Sequence, residues 1–98
     1  MNNDSKIKVL LVDDHQVVRE GLRRIVQMDE GIEVVGEAKN GKEAVSAVLE
    51  LKPDVVLMDI VMPGTSGLEA TRQIKAQPDA PRMILLTLHD DKAYRDEA

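Results

Sequence analysis

Residues 55–58, Val-Val-Leu-Met, are four apolar side chains in succession, and the residue after them is Asp59. Successive side chains of a strand point to opposite faces, so such a run fits a central strand of a parallel sheet, covered on both sides. Ile60 and Val61 follow, and Pro63-Gly64 then breaks the chain. Asp59 therefore stands where a buried strand emerges at its carboxyl end, the edge at which open α/β sheets gather ligands and chemistry. Taken alone the signal is weak, because an acidic residue at a strand exit is most often a solvated loop residue or a cap.

A second acidic site changes the weight of the first. Ile7-Lys8-Val9-Leu10-Leu11-Val12 is another apolar strand, and it runs directly into Asp13-Asp14. If the two strands are parallel neighbours, three carboxylates converge on one sheet edge. Two unit charges ~4 Å apart repel by about 4 kcal/mol at an effective dielectric of ~20. A cation or a shared proton must offset that. Magnesium prefers carboxylate oxygen and completes its shell with water and phosphate oxygens. The three aspartates read as a magnesium site beside a candidate phosphate acceptor.

The rest of the chain builds a sheet around these strands. Gln16 to Met28 carries a helical stripe of Val18, Leu22, Ile25 and Val26, with Arg19, Glu20, Arg23 and Arg24 expected on the wet side and Gly31 after the end. Ile32 to Ala38 alternates enough for an edge strand. Asn40 with Glu43 is a capping box for a helix from Glu43 to about Leu51, burying Ala44, Ala47, Val48 and Leu51 and stopping before Lys52-Pro53. Ser66 with Glu69 is a second box, for a helix through about Ala76 with Leu68, Thr71 and Ile74 inward. Met83 to Thr87 is a fourth strand, and Asp90-Asp91 opens a further helix. The order βαβαβαβα with short connections specifies an α/β fold with a parallel sheet and right-handed crossovers.

Composition excludes several functions. One Tyr and no Phe or Trp among 98 residues leave an aliphatic core and no aromatic platform for single-stranded nucleic acid. A net charge of −5 disfavours non-specific contact with DNA or anionic membrane. The lack of cysteine rules out disulfides and thiolate metal sites and fits a reducing compartment. No apolar run reaches membrane-spanning length and the amino terminus is polar, so the expected location is cytoplasmic, without a membrane partner. Gly64-x-x-Gly67 is too sparse for a phosphate cradle. Ser66 reads as a cap, and His15 and His89 are not spaced as a metal pair. His15 reads as a loop or first-turn residue and His89 as a loop residue bordering the site. Thr87, at the exit of the fourth strand, is placed either to donate to a phosphoryl oxygen or simply to end a strand by propensity.

Together, Val-Asp13-Asp14-His, Leu-Met-Asp59-Ile-Val-Met-Pro63-Gly-Thr-Ser-Gly67 and Leu-Leu-Thr87 resemble the receiver domain of two-component response regulators. The segments Val-Asp-Asp-His-Gln-Val-Val-Arg-Glu-Gly-Leu and Leu-Thr-Leu-His-Asp-Asp are most similar to receivers that precede a LuxR-type helix-turn-helix DNA-binding domain. The resemblance implies a flavodoxin-like, doubly wound parallel sheet, here of about four strands in the order 2-1-3-4. It makes Asp59 the phospho-acceptor and Thr87 the switch hydroxyl. Magnesium would be held by Asp14, Asp59 and the Val61 carbonyl, with Asp13 acting through water, while Val61 and His89 would tune the phosphate's lifetime. A sensor histidine kinase is the implied partner, and DNA is reached only through a separate carboxyl-terminal domain.

The family's lysine, fifth strand and fifth helix would lie beyond Ala98, so residues 1–98 are expected to form a carboxyl-terminally incomplete receiver domain. Its open fourth-strand edge would then invite self-association. Two rival readings stand beside this one. An aspartate-nucleophile phosphatase usually wants an acid two residues after the nucleophile, where this chain has Val61. A non-phosphorylated interaction module would not need the three aspartates.

Overall fold

A computed structural model of the protein describes residues 6–59 and 67–86. Four strands, β1 (Ile7–Val12), β2 (Ile32–Ala38), β3 (Val55–Asp59) and β4 (Arg82–Leu86), alternate with three helices, α1 (Gln16–Val26), α2 (Gly41–Leu51) and α3 (Gly67–Lys75). The strands form one parallel sheet in the order β2-β1-β3-β4. This is the expected doubly wound, flavodoxin-like arrangement. The chain turns one way from β1 to β2 and the opposite way afterwards, so right-handed crossovers place α1 on one face and α2 and α3 on the other. Among the described residues, no helix is long and apolar enough to cross a membrane.

The main core lies under α2 and α3. Leu10, Val12, Val56 and Met58 are buried against Ala44 and Val48 of α2 and Ala70 and Ile74 of α3. Burying a Leu, Ile, Val or Met side chain contributes about 1.5–3 kcal/mol each. At the amino ends of the strands, Asp54 holds the sheet together. Its backbone bonds pair it with Lys8 and Arg82, and its Oδ2 accepts from the Lys8 N–H at 2.9 Å. In the β1–β2 pair the register slips between Val9, opposite Val34, and Leu10, opposite Gly36, so Val35 is left over as a bulge.

The α2 start behaves as its sequence says. Asn40 Oδ1 accepts from the Glu43 N–H at 2.8 Å, and Glu43 Oε1 accepts in return from the Lys39 N–H at 3.0 Å. The helix opens at Gly41, two residues before Glu43, because residues after a cap are already helical. It ends on Lys52 in the left-handed conformation (φ 51°), directly before Pro53.

Helix faces differ from expectation in three places. Leu68 is 67% exposed, and Ala70 is buried with Ile74 instead. Residues four apart share a helical face, whereas Leu68 and Ile74, six apart, are about 120° apart around the axis. Leu51 and Ile25 are also exposed rather than buried. Finally, α1 ends at Val26, not Met28, and is rolled toward β2. Its half-buried arc comprises Val18, Leu22 and Val26 together with Arg19 and Arg23, which sequence had placed on the wet side. β4 begins one residue early, at Arg82. The Ser66 capping residue, Thr87 at the expected end of β4 and the helix expected from Asp90-Asp91 lie outside the described residues.

Candidate acidic site

Parallel pairing of β1 with β3 sets Val12 beside Met58, so the residues that follow, Asp13 and Asp59, emerge on neighbouring strands at the carboxyl edge. Both are buried, at 0% and 1% exposure, and they are the buried charged residues among those described. Asp14, next in the chain, is about a quarter exposed (24%). The sheet edge thus brings together the three carboxylates that the sequence singled out.

Local backbone geometry fixes Asp13. Its N–H donates to the Ala38 carbonyl at 3.1 Å, continuing the ladder to β2. Its Oδ1 accepts from the His15 N–H at 2.8 Å, which closes a tight turn between strand and helix. Arg19 Nη1 donates to its carbonyl oxygen. Asp13 Oδ2, in contrast, is buried with no hydrogen-bond partner. Burial pushes the Asp13 carboxyl above its ordinary pKa of 3.8, and the charges of Asp59 and Asp14 push the same way against the opposing bonds from His15. A buried carboxylate with an unanswered oxygen beside two more carboxylates is a donor set that suits a hard cation.

The structure places His15 in the loop before α1, as read, and gives its ring a role that the sequence did not show. It occupies the N-cap position of α1, yet its side chain makes no capping bond. Its Nδ1 instead lies 3.2 Å from Asp13 Oδ1 and 3.0 Å from Asp14 Oδ1. One ligand atom from each of Asp13, Asp14 and His15 falls within 4.8 Å of the others. Adjacency to the aspartate pair was the available signal, because a turn residue two places after an Asp is held close to its carboxylate.

Sequence reasoning also missed the brace behind the site. Arg19 Nε and Arg23 Nε donate to the two oxygens of Glu37 at 2.9 and 2.8 Å, tying α1 to β2. Burial pushes the Glu37 carboxyl up, but the two guanidiniums outweigh it and hold the group below its ordinary 4.5. The i, i+4 arginine spacing was legible, but its partner on another element was not. Of the other expected site residues, Val61, Thr87 and His89 lie outside the described residues. Leu86, the last residue of β4, pairs with Asp59.

The family description "Response regulator receiver domain" matches residues 9–98. Among curated proteins, the chain is 52% identical over 84 residues to the transcriptional regulatory protein YdfI of Bacillus subtilis (strain 168), covering 86% of this chain and 39% of that protein. It is 50% identical over 90 residues to LiaR of the same organism, covering 90% of this chain and 43% of LiaR. Among solved structures, a two-component response regulator of the LuxR family from Aurantimonas sp. SI85-9A1 superposes with a TM-score of 0.81 at 41% identity, covering 95% of this chain and 66% of the other. The chain spans about two-fifths of the length of these curated relatives.

Proposed function

The chain belongs to the response regulator receiver domain family, and from that membership we propose that it accepts a phosphoryl group on Asp59 from a sensor histidine kinase or a small phosphodonor. The observation that carries this reading is the burial of Asp59 at the carboxyl end of β3, beside Asp13 at the end of β1. An oxygen of the Asp59 carboxylate attacks phosphorus, a P–O bond forms to Asp59, and the P–N or P–O bond to the donor breaks. Asp14, Asp59 and the Val61 carbonyl would hold magnesium, with Asp13 acting through water. When bound, the ion supplies positive charge that offsets the charge of acceptor and phosphoryl group. Asp13 is fixed by the His15 N–H and Arg19, and its Oδ2, which has no hydrogen-bond partner, would accept from a water on the ion. Thr87 donates to a phosphoryl oxygen and so reports phosphorylation to the rest of the domain, while Val61 and His89 tune how long the phosphate lasts.

The residues 1–98 act as the receiver part of a regulator whose output is transcription in the cytoplasm. The names of the curated relatives as transcriptional regulatory proteins, and the LuxR-family match, support DNA as the target of that output. Incubation with acetyl phosphate and magnesium should add the mass of one phosphoryl group to the protein, and Asp59→Asn should abolish it. Full labelling of that variant would move the acceptor elsewhere, and an unlabelled wild type would favour a non-phosphorylated interaction module.

A further inference from the structure

We propose that His15 makes the Asp13–Asp14 pair a site for a borderline divalent transition metal, zinc or cobalt being the test cases, in competition with magnesium. The inference rests on the reading of Asp14 as a magnesium ligand with Asp13 acting through water, and it adds a nitrogen donor to that pair. Three observations carry it. The His15 ring is not spent on the helix it precedes, since the α1 N-cap has no side-chain bond. Its Nδ1 faces the acids, 3.0 Å from Asp14 Oδ1 and 3.2 Å from Asp13 Oδ1. Independently of the ring, Asp13 is fully buried and its Oδ2 has no hydrogen-bond partner.

The spacing matches what a first-row ion needs. Metal–ligand bonds of about 2.0–2.1 Å at octahedral or tetrahedral angles put neighbouring donor atoms about 2.8–3.4 Å apart. Both Nδ1–oxygen separations fall in that interval. Donor chemistry sets the selectivity. Magnesium takes oxygen donors and gains little from an imidazole, whereas zinc, cobalt, nickel and copper bind imidazole nitrogen well. An ion that engages Nδ1 together with the Asp13 and Asp14 oxygens occupies donors that magnesium would use. Such an ion would therefore inhibit magnesium-dependent phosphorylation by exclusion. The His15 N–H bond to Asp13 Oδ1 holds the residue beside both carboxylates.

The test is calorimetric titration of the protein with cobalt and with magnesium, for wild type, His15→Ala and His15→Gln. Loss of the imidazole should weaken cobalt binding about tenfold or more, with magnesium affinity changed by less than about twofold. In the wild type, cobalt should broaden or shift the His15 ring resonances, and magnesium should leave them in place. That measurement needs no variant and stands if a substitution prevents folding. Cobalt bound as tightly by His15→Ala as by wild type, or ring resonances untouched at saturating cobalt, would overturn the inference. Magnesium binding that survives such a result leaves the acceptor reading intact. Conversely, cobalt binding through His15 without any magnesium binding would remove the magnesium reading and leave this one.

Discussion

Asp13 is held in a buried, acidic setting at some cost to the fold. Its pKa lies above the ordinary 3.8 because burial and the neighbouring carboxylates disfavour its charge. Between 3.8 and the folded value, the native state binds more protons than the unfolded chain, so this group makes stability fall as pH rises through that window. Above the folded value its full penalty is present. Asp13→Asn keeps an acceptor for the His15 N–H and discards the buried charge. In metal-free buffer at pH 7 it is expected to be more stable than wild type by about 1–2 kcal/mol. The gain should shrink as pH falls toward 4. Denaturant midpoints at both pH values check this, and a destabilised variant at pH 7 would contradict it.

At the scale of elements, the Glu37 clamp is the connection most exposed to test. α1 has no fully buried residue, so its hold on the sheet depends on a half-buried apolar arc and on Arg19 and Arg23 gripping one carboxylate of β2. Two guanidiniums on one partly buried carboxylate exceed a lone surface pair in value, and Glu37→Gln is expected to cost about 1 kcal/mol. The Glu37 pKa is depressed, so its contribution is complete above 4.5 and is lost as pH falls through the folded value. The stability difference between wild type and Glu37→Gln, followed by urea denaturation, should therefore vanish in acid. A difference unchanged from pH 7 to pH 3 would show that shape rather than charge matters there.

The whole molecule couples its acidic edge to its stability. A cation that binds the native acid pocket and not the unfolded chain stabilises by mass action. Millimolar magnesium is thus expected to raise the melting temperature of wild type but not of Asp14→Ala, and a wild-type melt indifferent to magnesium would count against the site. The lateral edge of the sheet, at β4, has a different liability. Among the described residues β4 is paired on one side only, and Ile84 and Leu85 are 42% and 40% exposed. An apolar strand so placed is a template for another chain. A polypeptide of these 98 residues is expected to associate as its concentration rises, and sedimentation as a stable monomer at high concentration would refute this.

The strands were legible because their signals are local. Apolar stretches lead into Asp13 and Asp59, β1 and β2 have the bounds read for them, and β4 starts one residue before the start read. Asn40 and Glu43 announced their helix for the same reason, as bonds within one turn. By itself the sequence therefore determined a parallel α/β sheet with Asp13, Asp14 and Asp59 at its strand ends. The inward face of α2 was legible in Ala44 and Val48, and only tertiary structure decided how α1 and α3 are rolled about their axes. Ala70 displaced Leu68, and Arg19 and Arg23 turned inward, because a helical face is buried by whatever element packs on it rather than by its own period. The same holds for the acidic site. That Asp13 would be fully buried with one unanswered oxygen, and that His15 would turn its ring to the acids instead of capping α1, depend on β1 pairing with β2 and β3 at once. Burial and register are properties of neighbours far apart in the chain, and no local pattern encodes them.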